Sequence, residues 1–327
     1  MTWLKICTWP RAIGLTIPLL WLGGCVEYTI ETTLEANGSG FRSERMVVEE
    51  IEDSDFHVSY GDFADVMFVT ANRGWEHTTE VEGDDTLHVF ERETRVADLA
   101  GWIDLSDGVR IAGTRSTDAE ATVGYVSLVD VQFRNTVRVE IGQVGEYTSY
   151  MYRETFYWEN LNDVLVEYFV ETFMVAVDAK YPDLAPEQRG ELAGLVKFGL
   201  WSAMDEGLLE AGDEKERELV STFIDRTARQ ATKIVRQSYP DAEEGSFRSM
   251  LRHHYDDEDD ELGDFIQQQL PGVQLAGNSE IIFRLNMPGR VTSSNSHDRD
   301  GETLTWEFGP WHAATKLEIF AESVVRE

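Results

Sequence analysis

The side chains best suited to chemistry in this 327-residue sequence are a thiol near the amino terminus, two acidic clusters and seven histidines. The only cysteines are Cys7 and Cys25. A thiolate is a strong nucleophile and a soft metal ligand, and Cys25 follows Leu22-Gly23-Gly24, whose small residues let a second enzyme approach the backbone. The densest polar cluster is His253-His254-Tyr255 followed by Asp256 through Glu261. Carboxylates suit calcium and imidazoles suit transition metals. Six successive acids, however, point apart into water, so a solvated loop is expected there. The second cluster, Ser296-His297-Asp298-Arg299-Asp300-Gly301 with Glu307 beyond, partly matches calcium-loop spacing. Ser296 stands where the first acid belongs, and Thr303 to Trp306 reads as a strand where an exiting helix is required. A β-hairpin tip is therefore predicted, with Asp300-Gly301 supplying the turn. Asp298, Asp300, Glu307, Asp256 and Asp257 are the candidate cation ligands, and neither a metal site nor a cofactor is expected.

Histidine-led catalysis finds little support. His57, His77, His88, His253, His254, His297 and His312 form no H-E-x-x-H pair, and no G-x-S-x-G elbow is present. Carboxylate pairs for glycoside hydrolysis leave no spacing signature, so a glycan hydrolase remains an alternative function, as does cation-dependent ligand binding. Trp75, Trp102 and Trp311 are able to stack on sugars, but a packing role is the expectation for each.

The start of the chain reads as an address. Lys5 and Arg11 flank a short positive region, Ala12 to Leu22 is apolar, and Gly23-Gly24 precede Cys25. These are the parts of an export signal. The apolar run is short for a membrane span, and Pro18 interrupts it. Leu22-Gly23-Gly24-Cys25 resembles the lipobox of bacterial lipoproteins. The resemblance implies cleavage before Cys25, diacylglycerol on its thiol and palmitate-type acylation of the new amino terminus. The first partner it implies is thus a membrane, on the outer side of the inner membrane or on the outer membrane. Val26, where an Asp would retain such proteins, suits the outer membrane by the same resemblance. Cleavage would discard Cys7 and leave no free thiol, which excludes disulfides and thiol catalysis.

The elements that position these groups divide by pattern. Val26 to Glu35 alternates, Asn37-Gly38-Ser39-Gly40 offers a turn, and Phe41 to Ile51 returns. Trp75 to Glu82 and Thr86 to Glu93 flank Gly83-Asp84-Asp85 as a second hairpin. Val123 to Val139 and Val144 to Trp158 extend the β signal, and antiparallel pairing is expected throughout. Helices are predicted from Asn160 or Asn162 to about Lys180, from Pro186 to about Glu210 and from Glu214 to about Ser238, with a shorter one around Phe247, Met250 and Leu251. Gly190, Gly194 and Gly199 on the second helix are expected to allow close helix contact. Strands resume at Ser279 to Asn286, Thr303 to Phe308 and Thr315 to Ser323. The expected organisation is α+β: a signal peptide over 1–24, a β-rich region over 25–158, a helical insertion over 159–270, and C-terminal strands over 271–327 that complete the sheet.

With 28 basic residues against 61 acidic ones the formal charge is −33, and loss of Lys5 and Arg11 with the signal makes it −35. That balance argues against nucleic acid as a partner. Late in the chain, Met287-Pro288-Gly289-Arg290-Val291, Ser294-Asn295, Asp300-Gly301 and Thr303-Leu304-Thr305-Trp306 follow one another. This string, with a hairpin directly after Cys25, resembles the LppM-like group of envelope lipoproteins. The resemblance implies a fold and an address, and no activity. The expected function is a lipid-anchored, non-enzymatic binding or structural module with an envelope protein or glycan as its further partner.

Overall fold

A computed structural model describes residues 26–49, 67, 69, 71–82, 85–96, 101–104, 111–112, 121–123, 126–128, 131–208, 213–256, 265–266, 270, 272–273, 279–310, 313 and 316–326. The fold is α+β, and the chain divides into two compact units. One contains Leu20–Thr117, Asp130–Leu161 and Ile266–Glu327, so segments before and after the helical stretch build it. The other contains Asp118–Val129 and Asn162–Phe265.

The strands are β1 Val26–Leu34, β2 Gly40–Glu49, β3 Glu76–Glu82, β4 Asp85–Val96, β5 Gly101–Asp104, β6 Ile111–Ala112, β7 Ala121–Val123, β8 Val126–Leu128, β9 Gln132–Val144, β10 Tyr147–Glu159, β11 Ser279–Asn286, β12 Arg290–Ser294, β13 Asp298–Asp300, β14 Thr303–Phe308 and β15 Leu317–Arg326. A seven-stranded sheet runs β13-β14-β11-β1-β2-β4-β3, and a six-stranded sheet has the path β12-β15-β10-β9-β5 with β6 also on β9. The short pair β7-β8 belongs with the second unit.

β1 shows why these residues make strand. Val26, Tyr28, Ile30 and Leu34 alternate with Glu27, Thr29, Glu31 and Thr33, which puts the apolar set on one face. Among the described residues the pairings are antiparallel with one exception. β1 and β11 run parallel, from Val26 opposite Ser279 to Thr33 opposite Asn286. This corrects the expectation of antiparallel pairing throughout. One edge of β1 is taken by its hairpin partner β2, and the other is met by a strand whose direction no tight turn dictates. A second correction concerns β9, which continues through Val144, past the expected end at Val139, to a turn at Gly145 and Glu146, so that β10 starts at Tyr147 and not at Val144. The extension lies in solvent, so its sequence carries no burial alternation to mark it. The predicted tip near Asp300 does form, but one residue later than expected: Gly301, at φ 62°, and Glu302 make the turn, while Asp300 is still in β13 and pairs with Thr303.

The two sheets pack face to face through aromatic rings. Phe156 of β10 lies 6.1 Å from Phe283 of β11 and 5.1 Å from Phe308 of β14, centroid to centroid. Trp75, considered above for sugar stacking, is buried in this core. The side chains of Trp102 and Trp311 lie outside the described residues. At the Met287-Pro288-Gly289 break, Gly289 has φ 73°, and a Cβ there would stand 2.4 Å from the Val324 carbonyl oxygen. Only glycine fits this turn.

The helices are α1 Leu161–Lys180, α2 Pro186–Asp205, α3 Asp213–Val235 and α4 Glu244–Asp256. α2 stops five residues short of the expected Glu210, with Gly207 at φ 90° just beyond it. Phe173, Val177, Leu192, Val196, Leu200, Phe223, Ile224, Ala228, Ala231 and Phe247 form a buried cluster. Gln188 joins the start of α2 to the end of α3, donating to the Ile234 carbonyl and accepting from Ser238 Oγ. Only Gly199 of the three glycines makes the predicted close contact. A Cβ there would lie 2.8 Å from the Phe223 ring, whereas Gly190 and Gly194 face open space. Gly199→Ala should therefore destabilise the protein by about 1–3 kcal/mol through overpacking. Gly194→Ala should stabilise it by about 0.5–1 kcal/mol through helix propensity. Urea midpoints of the two variants check both signs.

Candidate functional site

The sequence-predicted groups scatter. Leu22, Gly23, Gly24 and Cys25 lie outside the described residues, but Val26, the next residue, opens β1. Asp298 and Asp300 are exposed on β13, and Glu307 is exposed on β14. Asp256 ends α4, and Asp257 lies outside the described residues. Among the described residues, no three His, Cys, Asp or Glu side chains are grouped to hold a metal. His297 Nδ1 accepts the Glu307 amide at 3.1 Å, which ties the β13-β14 hairpin together.

Two histidines do meet. His77 on β3 and His88 on β4 stack at 5.3 Å, with His77 Nε2 3.1 Å from His88 Nδ1. Partial burial and then the neighbouring His88 hold the His77 pKa below the ordinary imidazole value. Hairpin register creates this diagonal cross-strand pair, which no linear motif encodes.

The main polar constellation lies inside the first unit. On β2, Arg42 and Glu44 occupy inward positions in phase with Met46 and Val48, because pairing with β1 sets Arg42 against Thr32 and Glu44 against Ile30. Arg92 of β4 directs both Nε and Nη2 at Glu44 Oε2, at 2.9 and 2.6 Å. Tyr28 of β1 donates its hydroxyl to Glu44 Oε1 at 2.9 Å. Arg42 Nε lies 3.7 Å from that same oxygen, while Arg42 Nη1 reaches across to the second sheet and donates to Glu154 Oε1 of β10 at 2.9 Å. Asn135 Nδ2 of β9 donates to this Glu154 oxygen, and Tyr152 donates its hydroxyl to Glu154 Oε2 at 2.5 Å. The Arg92 guanidinium lies 4.8 Å from the Trp75 ring centroid, and that of Arg42 lies 5.8 Å from Phe283.

Both carboxylates have side chains 0% exposed. An isolated buried carboxylate is costly, so each is held by an arginine and by neutral donors. Burial alone pulls the Arg42 guanidinium toward neutrality, but Glu154 and then Glu44 more than offset this and hold it charged. Burial, reinforced by the adjacent carboxylates, raises the Tyr28 and Tyr152 hydroxyls well above the ordinary tyrosine value. Two cations, two anions and two neutral phenols therefore close on one another. Among the described residues, Asn135 Oδ1, Arg42 Nε and Arg42 Nη2 have no hydrogen-bond partner. The arrangement binds sheet to sheet through Arg42 Nη1 and Glu154.

Sequence reasoning passed over this network. Its available signal was charge in phase with the inward set of a strand, as at Glu154 between Tyr152 and Phe156, and at Arg42 and Glu44 in phase with Met46 and Val48.

Against known proteins, no family model and no curated protein matches the chain. Among solved structures it is similar to the folded domain of LppM from Mycobacterium tuberculosis, at 10% identity and a TM-score of 0.27, covering 92% of this chain and 91% of that one.

The network carries two predictions. Arg42→Met and Glu154→Leu should each cost about 3–5 kcal/mol, because each strands an opposite charge in the core. The double variant should cost less than the sum, with a coupling of about 0.5–3 kcal/mol in a double-mutant cycle followed by urea unfolding. The second concerns alkali. Below pH of about 10, Tyr28 and Tyr152 are protonated whether the chain is folded or unfolded. Above it the unfolded chain releases protons that the folded chain keeps, so stability falls as pH rises. Urea midpoints of a Tyr28→Phe/Tyr152→Phe double variant should fall less steeply with pH in that range.

Proposed function

We propose that this chain is a lipid-anchored bacterial envelope protein, attached through Cys25, whose β unit serves as a non-catalytic binding or structural body. The observation that carries the reading is the position of Val26. It is 2% exposed and paired on both sides, to Val48 of β2 and to Ser279 of β11. The residue after the lipobox-like Leu22-Gly23-Gly24-Cys25 is thus already an interior strand position. In this reading the acyl chains supply the membrane affinity, at about 0.8 kcal/mol per buried CH2. The folded body supplies recognition of an envelope protein or glycan. The dominant buried polar network supports a structural role for the core, since its ionised groups are matched within it.

Delivery to the outer membrane, suggested by Val26 in place of an acidic residue, is the finer form of the proposal. The test is Cys25→Ser in the full chain expressed in a diderm bacterium. The variant should stay unprocessed and move from the detergent phase to the aqueous phase on phase separation. A variant that is still cleaved and still partitions with detergent overturns the proposal. Fractionation of the wild-type protein between inner and outer membranes checks the finer form.

A further inference from the structure

We infer that the β unit stands on the lipid surface by one defined end, the end that carries Val26, Thr79 and Val81, and presents the β9-β10 tip away from it. The inference rests on the proposed anchor at Cys25 and adds a polarity that the anchor alone does not give. Strand register supplies it. Val26 is the first residue of β1, and the row across the sheet at its level passes through Val48 of β2, His88 of β4 and Thr79 of β3. A lipid on the preceding residue leaves no tether between this row and the headgroups.

Beyond that row, on the anchor side, β3 and β4 continue through the pairs Glu80-Leu87, Val81-Thr86 and Glu82-Asp85. Three further pairs extend about 10 Å along the strands. β3 lies three strands from β1, and the usual sheet twist turns it by about 60–75° over those steps, which shortens its forward reach to about 3–5 Å. The hairpin still ends on the anchor side of Val26. Val81 there is 74% exposed, an apolar side chain placed to enter the headgroup layer. Glu27 and Glu80 are exposed at the same end, so headgroups of low net charge are the chemistry that fits.

The opposite end is fixed as firmly. β1 runs nine residues to Leu34, about 30 Å, and the β1-β2 turn follows. The second sheet is pinned to that turn, because Tyr150 of β10 donates its hydroxyl to the Ala36 carbonyl at 2.8 Å. A Cβ on Gly38 would meet Ile141 of β9 at 2.7 Å. The β9-β10 tip, with Val144 66% and Tyr147 43% exposed, lies beyond this level.

The test uses the lipidated full chain in vesicles of phosphatidylcholine and phosphatidylethanolamine. With Cys25 acylated the mature chain has no other thiol, so Val81→Cys, Thr79→Cys and Val144→Cys each accept one nitroxide label. A nickel chelate carried on lipid headgroups should relax the labels at 81 and 79 several-fold more strongly than the label at 144. A soluble nickel complex should show the reverse order. Equal relaxation at the three positions, or stronger lipid-borne relaxation at 144, overturns the orientation. Intact mass of the wild-type protein separates the two proposals. Acyl mass with the wrong relaxation order overturns the orientation alone, whereas a chain without acyl mass overturns the anchor and the orientation with it.

Discussion

The bond between Arg42 and Glu154 is the constraint on which the β unit depends. It joins β2 of one sheet to β10 of the other through a core rich in aromatic rings, and both side chains are almost wholly out of water. Apolar packing alone tolerates sliding of one sheet over another, because dispersion contacts have little direction. A charge-assisted hydrogen bond does not, since a displaced Arg42 leaves the buried Glu154 carboxylate without its cation. Glu44 extends the constraint sideways by gripping Arg92, so β1, β2 and β4 are held in one register by the groups that hold the two sheets together.

This arrangement also separates two electrostatic problems. The network contains as many positive as negative charges, so the formal −33 of the chain lies elsewhere. Arginines at the surface relieve part of it, as Arg284 does with Glu31 and Arg134 with Glu159. Exposed pairs of this kind contribute about 0–1 kcal/mol each and weaken with salt. The interior pairs keep their strength under the same conditions. Salt therefore acts mainly on how the surface meets its surroundings and little on how the sheets meet each other.

The hairpins and the helical stretch were legible in the sequence because local signals encode them. Asn37-Gly38 between alternating runs, and the apolar periodicity from Leu161 to Val235, each specify an element without reference to distant residues. The parallel pairing of β1 with β11 was not legible, because nothing within either strand states which neighbour takes its free edge. The network was half legible. Arg42 and Glu44 fall on the inward positions of β2 once its register with β1 is drawn, but that Glu154 answers Arg42 from 112 residues away is a tertiary fact. The acidic groups that drew attention as cation ligands, Asp298, Asp300 and Glu307, sit on extended strands in solvent. The acids with the most consequence are hidden among aromatic residues.

The parallel pair also sets a timetable. Val26 emerges early in synthesis and its partner Ser279 comes 253 residues later. At about 5–20 residues per second the interval is roughly 13–50 s. During it, the edge of β1 that will meet β11 has no native neighbour. Long-range closure of this kind is slow, and a waiting strand edge is open to adventitious pairing. Until the last sixth of the polypeptide has been made, the sheet at its centre is a seam left open.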